Sequence, residues 1–144
     1  MREQVYLDSS VVIAYYVPEA KSERVQALYE GFATPAISEL VELEIISGLS
    51  LRIRTGDVER AQGEEVLTLF DEHLDVGLYT RLQMRAEHFT WARDAISRFD
   101  LPLKSPDALH LAAAQRGGLR LVTADRQLAR NAAALGVAFD LVEP

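Results

Sequence analysis

The stretch Gln4-Val5-Tyr6-Leu7-Asp8-Ser9-Ser10-Val11-Val12-Ile13 constrains the fold more than any other part of the chain. A short apolar run stops at an acid, two hydroxyls follow, and a second apolar run begins. An open α/β sheet delivers a reactive side chain to a strand's C-terminal end in this way, just where a helix starts. An Asp-Ser pair in that setting is also an ordinary helix N-cap. Asp8 therefore has two readings, and the deciding question is whether other acids reach the same edge.

Residues 4–7 read as the first strand, and Ser9 to about Tyr16 as a short helix closed by Pro18, which pushes its predecessor out of helical geometry. Val25, Leu28 and Tyr29 recur at helical spacing within a second helix from Lys21 to about Glu30, and Gly31 is its stop. Thr34-Pro35-Ala36-Ile37 is the second strand, with Ser38 as the next N-cap. The helix from about Glu39 to Arg54 carries Leu40, Val41, Leu43, Ile45, Ile46, Leu49, Leu51 and Ile53 nearly all round, which predicts burial on more than one side. Glu42 falls inside the stripe of Ile45, Ile46, Leu49 and Ile53, and Glu44 between Leu40, Val41, Gly48 and Leu51. A carboxylate among apolar neighbours is costly unless it is paired, protonated or bound to a cation. Both glutamates are functional candidates, and spacing alone does not choose between them.

Asp57 is expected to cap a helix through Ala61, Val66, Leu67, Leu69 and Phe70, and Val76 to Leu82 to form the third strand. A helix through Ala86, Phe89, Trp91, Ala92 and Ile96 follows, with Trp91 in the core. His73 and His88 lack partner spacing and are assigned surface or packing roles. Ser105 reads as an N-cap with Pro106 at the first helical position, so Asp107 lies in the first turn, where an acid complements the helix dipole. Gly117-Gly118 ends that alanine-rich helix, and Leu119 to Val122 is the fourth strand. Thr123-Ala124-Asp125 then repeats the opening theme of hydroxyl and acid at a strand end, before a helix from Arg126 to Leu135 and a last strand from Val137 to Val142.

This alternation predicts a single domain over residues 1–144, a three-layer α/β/α sandwich with a mostly parallel central sheet. A hydrophobic content of 49% suffices for one core. The absence of cysteine excludes disulfides, zinc-thiolate sites, iron-sulfur clusters and cysteine nucleophiles. No basic and apolar leader opens the chain, and the run from Val5 to Val17 is interrupted by Asp8 and too short to span a bilayer, so a cytoplasmic location is expected. The net charge of −7 argues against nucleic-acid binding by general attraction. It is compatible with a carboxylate nuclease, where bound divalent cations reverse the local sign.

Asp8 and Asp125 end strands, Asp107 opens a helix, and Glu44 or Glu42 sits early in another, so four acids can face one cleft. Clustered carboxylates repel, and a hard divalent cation such as Mg²⁺ or Mn²⁺, which prefers oxygen ligands, relieves the repulsion. The segments Tyr6-Leu7-Asp8-Ser9-Ser10, Ser38-Glu39-Leu40-Val41-Glu42-Leu43-Glu44, Pro106-Asp107-Ala108-Leu109-His110-Leu111-Ala112 and Leu121-Val122-Thr123-Ala124-Asp125, in this order, resemble the PIN-domain family over essentially the whole chain. Length and layout resemble its VapC-type toxin ribonucleases.

The resemblance implies a catalytic and metal-binding quartet of Asp8, Glu44, Asp107 and Asp125, with the register from Ser38 favouring Glu44 over Glu42. Ser9 and Thr123 match supporting hydroxyls, Ser10 stands where many members carry asparagine, and His110 is assigned to packing. The implied activity is Mg²⁺- or Mn²⁺-dependent hydrolysis of RNA phosphodiester bonds, with no covalent protein nucleophile. Arg52, Arg54, Lys104, Arg126 and Arg130 are candidates to hold the RNA. A small antitoxin and a second copy of the chain are the implied partners. A receiver domain or an Asp-x-Asp phosphohydrolase would need a second acid where Ser9-Ser10 stands, and no glycine-rich phosphate loop is present. The competing reading is an idle PIN-like module that only binds RNA or protein.

Overall fold

The computed structural model describes residues 4–144. Strand β1 (Val5–Leu7) leads into α1 (Ser9–Tyr16) and α2 (Ser22–Gly31), then β2 (Ala36–Ser38), α3 (Glu39–Arg54) and α4 (Arg60–Asp75). Strand β3 (Thr80–Leu82), α5 (Ala86–Ile96), α6 (Ser105–Gly117), β4 (Arg120–Thr123), α7 (Arg126–Ala134) and β5 (Phe139–Leu141) complete the order. The sheet runs β3-β2-β1-β4-β5 and every pairing is parallel, with Tyr6 opposite Ala36 on one side and Leu121 on the other. Parallel neighbours require crossovers, and right-handed crossovers place helices reached in opposite directions along the sheet on opposite faces. Helices α1 to α4 cover one face and α5 to α7 the other. The expected three-layer α/β/α sandwich is the observed fold.

The core explains these short strands. Val5, Tyr6, Leu7, Ile37, Leu121 and Val122 are buried, as strands covered on both faces must be. On one face they meet Val11, Val12, Val41 and Ile45, and on the other Ala108, Leu111 and Ala112. The small alanines let α6 lie close to β1 and β4.

Several boundaries depart from expectation. Helix α4 starts at Arg60 with Glu59 as its N-cap; Asp57 instead accepts a hydrogen bond from Thr55 in the preceding turn, while Val58 is drawn into the core. Strand β3 begins at Thr80 rather than Val76, because Gly77 turns the chain with φ of 77° and Val76 stays exposed. Lys104, not Ser105, caps α6, leaving Asp107 in its first turn. Helix α3 is buried along one stripe only, Val41, Ile45 and Leu49, whereas Leu43, Ile46 and Leu51 are exposed. Trp91 is partly buried and packs at the margin of the core.

Candidate active site at the switch point

Running out from β1, the chain goes first to β2 and β3, then returns to β4 and β5. The order reverses between β1 and β4, the place where an open parallel sheet leaves a crevice beyond its strand ends. Asp8 follows β1 and caps α1; Asp125 lies just beyond β4 and caps α7. The two strand-end acids of the sequence therefore flank the switch point.

Asp8 is fully buried and heavily hydrogen-bonded. Its Oδ1 accepts from Ser10 Oγ at 2.7 Å and from the Val11 amide at 3.2 Å, and its Oδ2 from Thr123 Oγ1 at 2.6 Å. Burial pushes its pKa up, opposed by His110 and by these hydrogen bonds. Thr123 Oγ1 in turn accepts from the Asp125 amide at 3.0 Å, and Ser10 Oγ from the Ala124 amide at 2.9 Å. Ser10 therefore fastens the start of α1 to the end of β4 while holding Asp8. The departure from asparagine at this position keeps a supporting contact.

Glu44 arrives from α3. A Cβ on Gly48 would stand 2.7 Å from Ile13 Cδ1, so glycine lets α3 and α1 approach closely, and one turn earlier Glu44 meets the start of α1. Its Oε1 accepts from Ser9 Oγ at 3.2 Å and makes a 2.6 Å contact with His110 Nε2. Glu42 points elsewhere. Its two oxygens take a bidentate pair from Arg81 of β3, at 2.7 and 3.1 Å, on an exposed surface. Glu42, like Glu44, was set among apolar neighbours in the sequence, but its partner is a cation outside the crevice.

Asp107 is half-buried and accepts no hydrogen bond among the described residues. Its pKa is raised, first by burial, then by the nearby charge of Asp125; His110 opposes this, and Asp8 and Glu44 add to it. Asp107 thus feels the charge of each of the other three predicted acids. Their oxygens are unevenly used. Both donors to Glu44 fall on Oε1, both to Asp125 (the amides of Gln127 and Leu128) fall on Oδ1, and Asp107 keeps both oxygens unclaimed among the described residues.

The donor set suits a hard divalent cation, since it consists of carboxylate oxygens with unclaimed lone pairs and mutual repulsion to relieve. Among the described residues no three acidic or histidine side chains form a ready metal cage. A cation would have to draw the acids together.

Three contributors escaped sequence reasoning. His110, assigned to packing, is 2% exposed and joins Glu44 to Tyr6, whose hydroxyl lies 2.8 Å from Nδ1 and 2.8 Å from Ser38 Oγ. Tyr6 read only as an apolar strand residue, and its partners are distant in sequence. Lys21, in the α1–α2 loop, places Nζ 2.9 Å from the Ala124 carbonyl, beside Asp125. Of the expected RNA-holding cations, Arg52 and Arg54 bond back to Gly48 and Ser50 of their own helix, Arg126 faces Glu143 and Arg130 bonds Gln127. Lys104 stands at the α6 N-cap. His88 accepts from the Arg85 amide and His73 meets Tyr16, structural roles as expected.

The PIN domain family model matches residues 5–134. No curated protein matches the sequence. Among solved structures, FitAcB from Neisseria gonorrhoeae is similar with a TM-score of 0.70 at 18% identity, over 94% of this chain and 95% of that one. VapC20 from Mycobacterium tuberculosis, described as a sarcin-ricin loop cleaving toxin, is similar with a TM-score of 0.71 at 16% identity, over 97% of this chain and 99% of that one. DNA-bound VapBC from Salmonella typhimurium gives 0.66 at 18% identity, over 97% and 98%.

Proposed function

The chain belongs to the PIN domain family, and on that premise we propose that it is a metal-dependent endoribonuclease, the toxin of a VapBC-like toxin-antitoxin pair. One observation carries the reading: Asp107 lies within electrostatic reach of Asp8, Glu44 and Asp125 beside the switch point, with oxygens of Glu44, Asp107 and Asp125 left unclaimed among the described residues. Mg²⁺ or Mn²⁺ held there would acidify a water and offset charge on the phosphoryl group.

The chain's own residues do the rest. Asp8 is held by Ser10, Thr123 and the Val11 amide, so its carboxylate cannot swing away. Asp107, whose carboxylate oxygens accept no hydrogen bond among the described residues, is suited to receive the proton of the attacking water. Lys21 keeps two N–H groups free of its Ala124 bond and supplies the positive charge that a phosphate needs beside an acidic crevice. Single-stranded or looped RNA is the substrate class, because its exposed backbone can enter a shallow cleft.

The expected antitoxin and second copy both need apolar surface, and α3 offers Leu43, Ile46 and Leu51. A cytoplasmic location accords with this function; no described helix is long and apolar enough to cross a membrane.

The lack of a ready cage favours the competing reading, an idle PIN-like binding module. Incubating a mixed, labelled RNA pool with Mg²⁺ or Mn²⁺ tests both. Cutting that disappears with chelator and in Asp8→Asn is the expected result. Intact RNA, together with calorimetry that detects no metal uptake, would leave only the binding module.

A further inference from the structure

The contacts of Glu44 are one-sided, and the group that makes the shorter of them is itself tethered. His110 Nε2 sits 2.6 Å from Glu44 Oε1, while Nδ1 sits 2.8 Å from Tyr6 Oη, which lies 2.8 Å from Ser38 Oγ. Tyr6 and Ser38 are wholly buried. No buried side-chain nitrogen or oxygen among the described residues lacks a partner, and requiring in addition that each hydroxyl proton find an acceptor fixes one direction along this line.

Ser38 Oγ accepts the Val41 amide at the α3 N-cap, at 3.4 Å. Its own proton then has one remaining partner, Tyr6 Oη. Tyr6, having accepted, donates to His110 Nδ1, and an Nδ1 that accepts leaves the proton on Nε2, facing the carboxylate. The line runs in one direction, from the cap of α3 through β1 and α6 back to α3: Val41 amide, Ser38, Tyr6, His110, Glu44.

We infer that His110 is a positioning residue, held in its Nε2–H form by Tyr6 and Ser38, which pins Glu44 through Oε1 and so presents Oε2 to the metal. The inference rests on the functional reading above, in which Glu44 is a ligand. It adds a device that this reading does not require. Outer partners that orient a ligating group characteristically change metal affinity when removed. A histidine that merely filled space between α6 and β1 would not.

The amide nitrogen of glutamine can replace Nε2, whereas an asparagine amide reaches only the position of Nδ1. His110→Gln can therefore still donate to Glu44, and His110→Asn cannot. Calorimetric titration with Mn²⁺ is expected to show His110→Gln within a few-fold of the unmodified chain and His110→Asn weakened about 10- to 100-fold. Tyr6→Phe, which releases Nδ1, should fall between them. Equal affinities for the Asn and Gln variants, whether both intact or both weakened, would overturn the inference and leave the metal reading standing. An unmodified chain that binds neither Mn²⁺ nor Mg²⁺ would overturn the functional reading and the inference together. A third measurement needs no variant: nitrogen-15 NMR of the unmodified chain should show His110 protonated on Nε2 alone, and protonation at Nδ1 would overturn the inference.

Discussion

The two ends of helix α1 carry two polar networks of opposite character. At its start, Asp8, Ser9 and Ser10 join an acidic crevice; at its end, Tyr16 joins a cluster with Tyr29, Tyr79 and His73. In the second network Tyr79 Oη lies 2.8 Å from Tyr16 Oη and 2.9 Å from Tyr29 Oη, and Tyr16 Oη is 2.7 Å from His73 Nδ1. Tyr15 stacks on Tyr29 with ring centroids 3.9 Å apart. Burial, the first cause in each case, pushes the pKa of Tyr16, Tyr29 and Tyr79 far up, so these hydroxyls stay neutral. The hydroxyls of Tyr16, Tyr29 and Tyr79 all have partners. The acidic end keeps like charges close and some of their oxygens unused. The comparison teaches that one end of the helix satisfies its polar groups among themselves, while the other holds like charges together at a cost in stability.

Removing a carboxylate should break this comparison most visibly. Asp8→Asn is expected to lower metal-dependent RNA cleavage by at least about 100-fold, since loss of mere outer partners already costs 10- to 100-fold. The same variant should also flatten the pH dependence of stability, because only the unmodified chain loses stability as Asp8 ionises. The sign follows from linkage: folded Asp8 and Asp107 have raised pKa values, so their contribution to stability is fully present below the unfolded value and is lost as pH rises through the folded one. The difference between the thermal melts of the two chains should therefore move in favour of the unmodified chain as pH falls toward the ordinary aspartate range.

A saturating cation reverses the penalty. At a free concentration about 100 times Kd, Mg²⁺ or Mn²⁺ should stabilise the unmodified chain by about 2.7 kcal/mol, with no gain in Asp8→Asn. At the other end of α1, Tyr79→Phe strips one hydroxyl from two partly buried partners and should cost about 1–3 kcal/mol in denaturant unfolding, leaving metal affinity unchanged.

Two smaller effects sharpen the contrast. Lys21→Met should weaken RNA binding across sequences and reduce the slope of log affinity against log salt by about 1, read by fluorescence polarisation in the presence of Ca²⁺. Glu42→Gln should cost no more than about 1 kcal/mol, as for an exposed ion pair, and leave metal binding intact, whereas Glu44→Gln should abolish it. Equal metal affinities for these two variants would return Glu42 to contention.

The alternation of short apolar runs and helices made the layered parallel sheet legible, because the central strands had to be largely apolar and the helices ended close to a glycine, proline or polar residue. Asp8, Asp107 and Asp125 were legible for the same reason: their positions are set by where elements begin and end. Glu44 was only half legible. Two residues on a helix differ by about 200°, so Glu42 and Glu44 had to face opposite ways. Which of them faced the crevice depended on how α3 lay against α1, where Gly48 leaves room for the end of the Ile13 side chain.

Tertiary structure alone decided the rest. It exposed Leu43, Ile46 and Leu51, because only the stripe of Val41, Ile45 and Leu49 reaches the core. It brought Lys21 to Ala124 and Tyr6 to His110 across separations of 103 and 104 residues. Local periodicity tells where along an element a side chain stands. The partner that turns a buried histidine into a donor to Glu44 is supplied by the order of strands in the sheet, and no local pattern carries that.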